Sequence, residues 1–152
     1  MKLSTRIRYG VRLMAALASS YSLKPLFLKD IATLEEISEK YLSLIVIPLR
    51  ASGLIKSLRG AHGGYSLAKD PREITLYNIV EALEGEICLV RCVKQPALCN
   101  RAAICPTRDT WSVLGDKIKE NLNEITLAEL IKQKKEKIIK NAKSVAKKKK
   151  KE

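Results

Sequence analysis

Apolar residues recur at spacings of three and four from the start of the chain. Ile7, Val11, Met14, Leu17 and Ala18 share one face over residues 4–20, behind Ser4 as a candidate N-cap. This predicts an amphipathic first helix with Arg6, Arg8 and Arg12 on its other faces. Pro25 interrupts the period, and residues 27–32 begin a second, short helix. A third, capped by Ser38, carries Tyr41, Leu42, Ile45 and Leu49. Pro48 predicts a kink one turn before it, because proline removes one helical hydrogen bond, and Gly53 predicts the stop.

The period then changes. Residues 54–58 and 65–68 are short runs of β-forming composition, joined by Arg59-Gly60-Ala61-His62-Gly63-Gly64, which predicts a β-hairpin. Three helices followed by such a hairpin is the layout of a winged helix-turn-helix, whose third helix enters the DNA major groove. A fourth helix is expected at residues 75–83, stopped by Gly85, and residues 86–105 read as a loop. Thr107 is the candidate cap of a longer helix to residue 123, in which Trp111, Leu114, Ile118 and Leu122 form a seam of coiled-coil type. A short helix at residues 126–131 is followed by a lysine-dominated stretch expected to fray into a disordered tail. The predicted fold class is mainly α with a small β-hairpin wing, a winged helix-turn-helix plus a long helix. Its expected division is a winged-helix part at 1–84, a cysteine-bearing loop at 85–106, the long helix and its short successor at 107–132, and the tail at 133–152.

The 152 residues carry a formal net charge of +13, and the excess is uneven. Residues 1–72 hold 12 basic and 5 acidic side chains, residues 73–132 hold 7 and 9, and residues 133–152 hold 10 and 2. Two basic regions thus flank a near-neutral middle, as expected of a binding protein with a polyanionic partner. The longest apolar runs fall far short of the ~20 residues a membrane span needs, and the N-terminus is not of signal-peptide type. A cytoplasmic protein with no membrane partner is expected. No Ser-His-Asp, Cys-His or paired-carboxylate arrangement and no phosphate-binding glycine motif is legible, which argues against an enzyme.

Cys88, Cys92, Cys99 and Cys105 fall within 18 consecutive residues. In a reducing compartment such a cluster points to metal binding or redox chemistry rather than structural disulfides. The spacings, Cys-x3-Cys-x6-Cys-x5-Cys, lack the paired C-x2-C of most structural zinc sites and suit a loop wrapped around a larger iron-sulfur core. Zinc, a thiol switch, and free thiols without a ligand role stay open.

Glu39, Lys40 and Ser43 are polar residues at the start of the third helix, where base edges are usually read, while Leu42, Ile45 and Leu49 hold that helix to the core. Arg59 beside Gly60 at the wing tip is placed to enter a minor groove or grip a phosphate. Arg8, with Arg6 and Arg12, is placed to contact phosphates from the first helix. His62, the single histidine, is expected to face DNA or solvent. Solvated helix faces, an ordinary hairpin turn and a protein-interaction role are the competing readings. The lysine stretch divides between non-specific DNA affinity and a solubilising appendage.

Several of these stretches resemble the Rrf2 family of bacterial transcription regulators. They are Tyr41-Leu42, residues 49–55 (LRASGLI), residues 59–68 (RGAHGGYSLA), the opening MKLS with Arg8 and Tyr9, and residues 123–130 (NEITLAEL). The resemblance spans residues 1–132 and is most specific in the R-G-x-x-G-G-Y wing taken with the three spaced cysteines. It implies a homodimer joined through the long helix carrying Trp111, Leu114, Ile118 and Leu122. From the family's iron-sulfur cluster regulators it implies a cluster held by Cys92, Cys99 and Cys105, 2Fe-2S in preference to 4Fe-4S. That cluster would alter how the third helix and wing meet a double-stranded DNA operator. Where those regulators have a histidine ligand this chain has Arg108, and where other members use an acidic ligand from the partner's first helix it has Arg8. A guanidinium replaces neither. The fourth ligand is open, with Cys88, an acidic side chain or an exogenous ligand as candidates. Other members regulate cysteine metabolism through a partner enzyme, so a cluster-free regulator acting through a partner protein or a thiol switch is the alternative.

Overall fold

The computed structural model describes residues 3–60 and 63–149, with side chains described as far as Ala142. Helix α1 (Thr5–Ser19) begins where expected, because the Ser4 hydroxyl accepts from the Ile7 N–H. It buries Ile7, Leu13, Met14 and Leu17 against α2 (Leu28–Glu35), α3 (Glu39–Ala51) and α4 (Leu76–Glu84). Leu13, Leu42, Leu49, Ile74 and Ile79 have no exposed surface. Each contributes about 1.5–3 kcal/mol by burial, and together they fix the attitude of α3.

Helix α3 continues past Pro48 to Ala51. Burial of Leu42, Ile45, Val46 and Leu49 outweighs the one hydrogen bond that a proline nitrogen cannot donate. The helix stops at Gly53, where a φ of +71° lets the Gly53 N–H reach the Arg50 carbonyl and the Leu54 N–H reach the Leu49 carbonyl, both at 3.0 Å. Strand β1 (Ile55–Leu58) then pairs antiparallel with β2 (Gly64–Leu67), with Ile55 opposite Leu67 and Leu58 opposite Gly64. The base of this wing is pinned to the segment before α2, since Leu26 and Tyr65 exchange two backbone hydrogen bonds of 2.9 and 2.8 Å. Gly64 permits that approach: its φ is +129°, and a Cβ there would stand 2.5 Å from the Leu26 carbonyl oxygen. His62, in the wing tip, lies outside the described residues.

Helix α4 opens on a capping box. The Thr75 hydroxyl accepts from the Asn78 N–H at 3.2 Å, and the Asn78 side chain accepts from the Thr75 N–H at 2.9 Å.

Three stretches differ from the sequence expectation. Residues 86–105 are not a plain loop: α5 (Arg91–Lys94) and 3-10 turns at Pro96–Leu98 and Ala102–Ile104 fold them into short helical pieces. Local bonds hold these pieces, such as Cys99 N–H to Pro96 C=O at 3.1 Å and Ala102 N–H to Cys99 C=O at 3.0 Å. Turns of three or four residues are too short for a hydrophobic period to register. Helix α6 (Pro106–Glu124) starts at Pro106 with Cys105, not Thr107, as its cap residue, because the fixed φ of proline suits the first helical position.

The third difference is the C-terminal helix. The short helix expected at 126–131 is longer: α7 (Leu127–Lys149) continues into the lysine-rich stretch expected to be a frayed helix passing into a disordered tail, whose last residues, 150–152, lie outside the described residues. Lysine is a good helix former, and the first turns are anchored by fully buried Leu127 and by Lys134, whose Nζ lies 3.2 Å from Glu35. The junction of α6 and α7 is stitched to the start of α4 by Leu76 N–H to Ile125 C=O and Leu127 N–H to Ile74 C=O, both at 2.9 Å. The long helix is therefore carried on the winged-helix core. Among the described residues no helix is long and apolar enough to cross a membrane.

The turn between β2 and α4 carries a titratable contact. The half-buried Asp70 carboxylate accepts from the exposed Arg72 side chain at 3.0 and 2.9 Å and from the Arg72 N–H at 2.8 Å, which holds its carboxyl at about 2. The folded value lies below the unfolded ~3.9, so the stabilisation is fully present above that pH and is lost as pH falls towards 2. A carboxyl NMR titration is expected to place the Asp70 midpoint near 2, and Arg72→Ala to return it to the ordinary range. A wild-type midpoint already in that range would remove the contact.

Candidate nucleic-acid interface and cysteine loop

Glu39 and Lys40 are exposed on the first turn of α3, and half-buried Ser43 donates its hydroxyl to the Lys40 carbonyl at 2.7 Å. The three stand together, away from the buried Leu42, Ile45 and Leu49. Leu44 and Ile47 are also exposed on α3, to 57% and 58%, although nothing in the polar pattern marks them out. The helical period does: at 3.6 residues per turn each stands about 200° from the core residue two positions before it.

Arg59 and Gly60 are exposed where β1 enters the wing loop. Arg8 is exposed on α1, donating to the Thr5 hydroxyl at 3.3 Å, with its guanidinium 5.9 Å from the Tyr9 ring centroid. Arg12, grouped with it as a phosphate contact, is also exposed but is paired with Glu35. Its Nε donates to Glu35 Oε2 at 2.9 Å, a second guanidinium N–H donates to the Glu35 carbonyl, and Lys134 from α7 reaches Glu35 Oε1 at 3.2 Å. Glu35 is the one buried charged side chain among the described residues. A carboxylate out of water requires such partners, and they come from two other helices.

In the cysteine loop all four thiols are free; Cys88 is exposed and Cys92, Cys99 and Cys105 are half-buried. Cys88 donates to the Val90 carbonyl at 3.1 Å. Cys105 lies 3.1 Å from the Thr107 hydroxyl, and that bond, then the Arg108 N–H, pull its thiol below the ordinary value, with a smaller pull from the charge of Arg101. Arg108 acts as a structural tie, since its Nε donates to the Cys92 carbonyl at 3.0 Å and so fastens the loop to the first turn of α6. The donor types fit an iron-sulfur cluster, since deprotonated thiols are soft anionic ligands. The arrangement is not a closed ligand set, because among the described residues no three His, Cys, Asp or Glu side chains form a group able to hold a metal ion.

Helix α6 has 19 residues and buries none of them. It packs on α4, where the Lys119 ammonium sits 5.0 Å from the Tyr77 ring centroid. Trp111, Val113 and Leu114 are exposed, and Ile118 and Leu122 are half-buried. Val113 stands about 200° from Trp111 and so lies off the seam that the periodicity marks out.

A three-helix core, a hairpin wing, and an outward polar face on the third helix define a winged-helix DNA-binding transcription regulator. The likeness to solved structures bears this out: the chain superposes on CymR, described as the global cysteine regulator of Bacillus subtilis, with a TM-score of 0.71 and 38% identity over 88% of this chain and 98% of that one. It is similar also to an IscR from T. potens, with a TM-score of 0.72 and 37% identity over 88% of each chain. The chain belongs to the Rrf2 family, whose model, described as an iron-dependent transcriptional regulator, matches residues 3–133. It is 41% identical to Protein rrf2 of Nitratidesulfovibrio vulgaris over 131 residues, 86% of this chain and 87% of that one. These relatives are regulators, and the chain is a DNA-binding transcription regulator, not an enzyme.

Proposed function

We propose that this chain is a cytoplasmic, homodimeric regulator whose affinity for a double-stranded DNA operator is set by an iron-sulfur cluster on the cysteine loop. The observation that carries the reading is Arg108: it ties the loop holding Cys92, Cys99 and Cys105 to α6, and α6 is stitched to the start of α4. A change in the loop therefore has a mechanical route to the core that positions α3. In this reading Glu39, Lys40 and Ser43 meet base edges, Arg59 and Gly60 meet the minor groove or a phosphate, and Arg8 meets the backbone. Trp111, Leu114, Ile118 and Leu122 form the dimer seam. Cys92, Cys99 and Cys105 hold the cluster, 2Fe-2S in preference to 4Fe-4S, with Cys88 a candidate fourth ligand once the loop closes.

A second reading is a cluster-free regulator of cysteine or sulfur metabolism, acting through a partner protein or a thiol switch. It is favoured by the dispersed, free thiols and by the likeness to CymR. Anaerobic reconstitution followed by visible absorption and iron and sulfide assays separates the two. Iron and sulfide bound in the wild type and lost in Cys99→Ser support the cluster; a colourless, iron-free protein removes it and leaves the second reading.

The wing assignment has its own measurement. Arg59→Ala is expected to weaken binding to a selected operator by about 1–3 kcal/mol, read by fluorescence anisotropy at fixed salt. An unchanged affinity would take Arg59 out of the interface.

A further inference from the structure

We propose that the exposed lysines of α7 bind the phosphate backbone of duplex DNA flanking the operator, a contact that rests on the DNA-binding reading above and extends it. The helix is tied to the reading head. Lys134 Nζ stands 3.2 Å from Glu35, the last residue of α2, and Glu35 precedes the first residue of α3 by four positions. Four residues span at most about 14 Å, so Lys134 is anchored at the end of α2, within a short connection of the start of α3.

Beyond Lys134 the helix continues to Lys149. That is roughly 22 Å of rod at 1.5 Å per residue, alongside a duplex that carries one charge per ~1.7 Å. Lys135, Lys137 and Lys140 are exposed, and among the described residues no carboxylate pairs with them. The sequence adds Lys143, Lys147, Lys148 and Lys149, while Glu136 is the single acidic residue of α7 after Glu129. Like charges three and four positions apart on a helix repel. A phosphate backbone relieves that repulsion, whereas a water-facing helix has only salt to screen it. Lysine is a compact point charge, so the contact adds affinity and salt dependence without reading bases.

The test uses the full chain and a duplex selected from a random pool by the wild type, in two lengths: the site alone, and the site with two helical turns added on each side. Lys137, Lys140, Lys143, Lys147, Lys148 and Lys149 are replaced together by glutamine, which keeps helix propensity and removes the charge. On the long duplex the variant is expected to show a shallower dependence of log affinity on log salt, by about 0.9 for each phosphate that is no longer neutralised. For three such phosphates the wild type then loses ~40-fold more affinity than the variant between about 50 and 200 mM salt. On the site alone the two proteins bind alike. Equal slopes on the long duplex overturn the contact while leaving the regulator reading intact, and an equal loss on both lengths overturns its flanking placement. A loss seen with single-stranded RNA alone, duplex binding unchanged, overturns it in favour of RNA. A wild type that does not prefer its selected site over a scrambled duplex overturns the regulator reading itself.

Discussion

Leu42→Ala is expected to lower the free energy of unfolding by about 2–5 kcal/mol and to weaken operator binding with it. Leu42 has no exposed surface and lies one turn into α3, between the outward Lys40 and Ser43. Its removal leaves a void that the surrounding aliphatic side chains fill only in part. For a chain of this size that loss corresponds to a fall in melting temperature of roughly 5–15 °C. Leu34→Ala is the control: Leu34 is exposed on neighbouring α2, and surface truncations of this kind stay within about ±0.5 kcal/mol. Denaturant titration of both variants decides the matter, and a loss below ~1 kcal/mol for Leu42→Ala would mean that α3 is not seated by this residue.

If the proposed homodimer forms through α6, Leu114→Glu is expected to give monomers and to cut operator affinity by ~100-fold or more, because two half-sites bound by one rigid dimer gain by effective concentration. The expectation rests on a 19-residue helix with no fully buried residue, which exposes Trp111 and Leu114 on one face. In a two-fold interface the same patch serves both subunits, so one substitution places two unpaired carboxylates in the seam. Sedimentation velocity at micromolar concentration reads the outcome. A variant that sediments as a dimer would move the interface elsewhere.

These two residues also mark the division between local and distant information. The helix starts at Ser4 and Thr75, the stop at Gly53 and the hairpin of residues 55–67 are legible because each rests on a cap, a glycine or a period spanning a few neighbouring residues. The wing motif and cysteine spacing point to the family for the same reason, and the matched residues 3–133 bear that out. The turns inside residues 86–105 are not legible because they are shorter than the window in which a period can be counted.

By itself, then, the sequence determined the order of elements, the winged helix and the chemistry available to it, since propensity, capping and periodicity act within a turn or two. Only the tertiary structure decided what those residues do once elements meet. It paired Arg12 with Glu35, set Arg108 on the Cys92 carbonyl, and carried the helix after Leu127 on to Lys149. The pair of Lys134 and Glu35 spans 99 positions. No local pattern encodes such a contact, because a buried carboxylate acquires its partners from whichever helices the packing of the core brings to it.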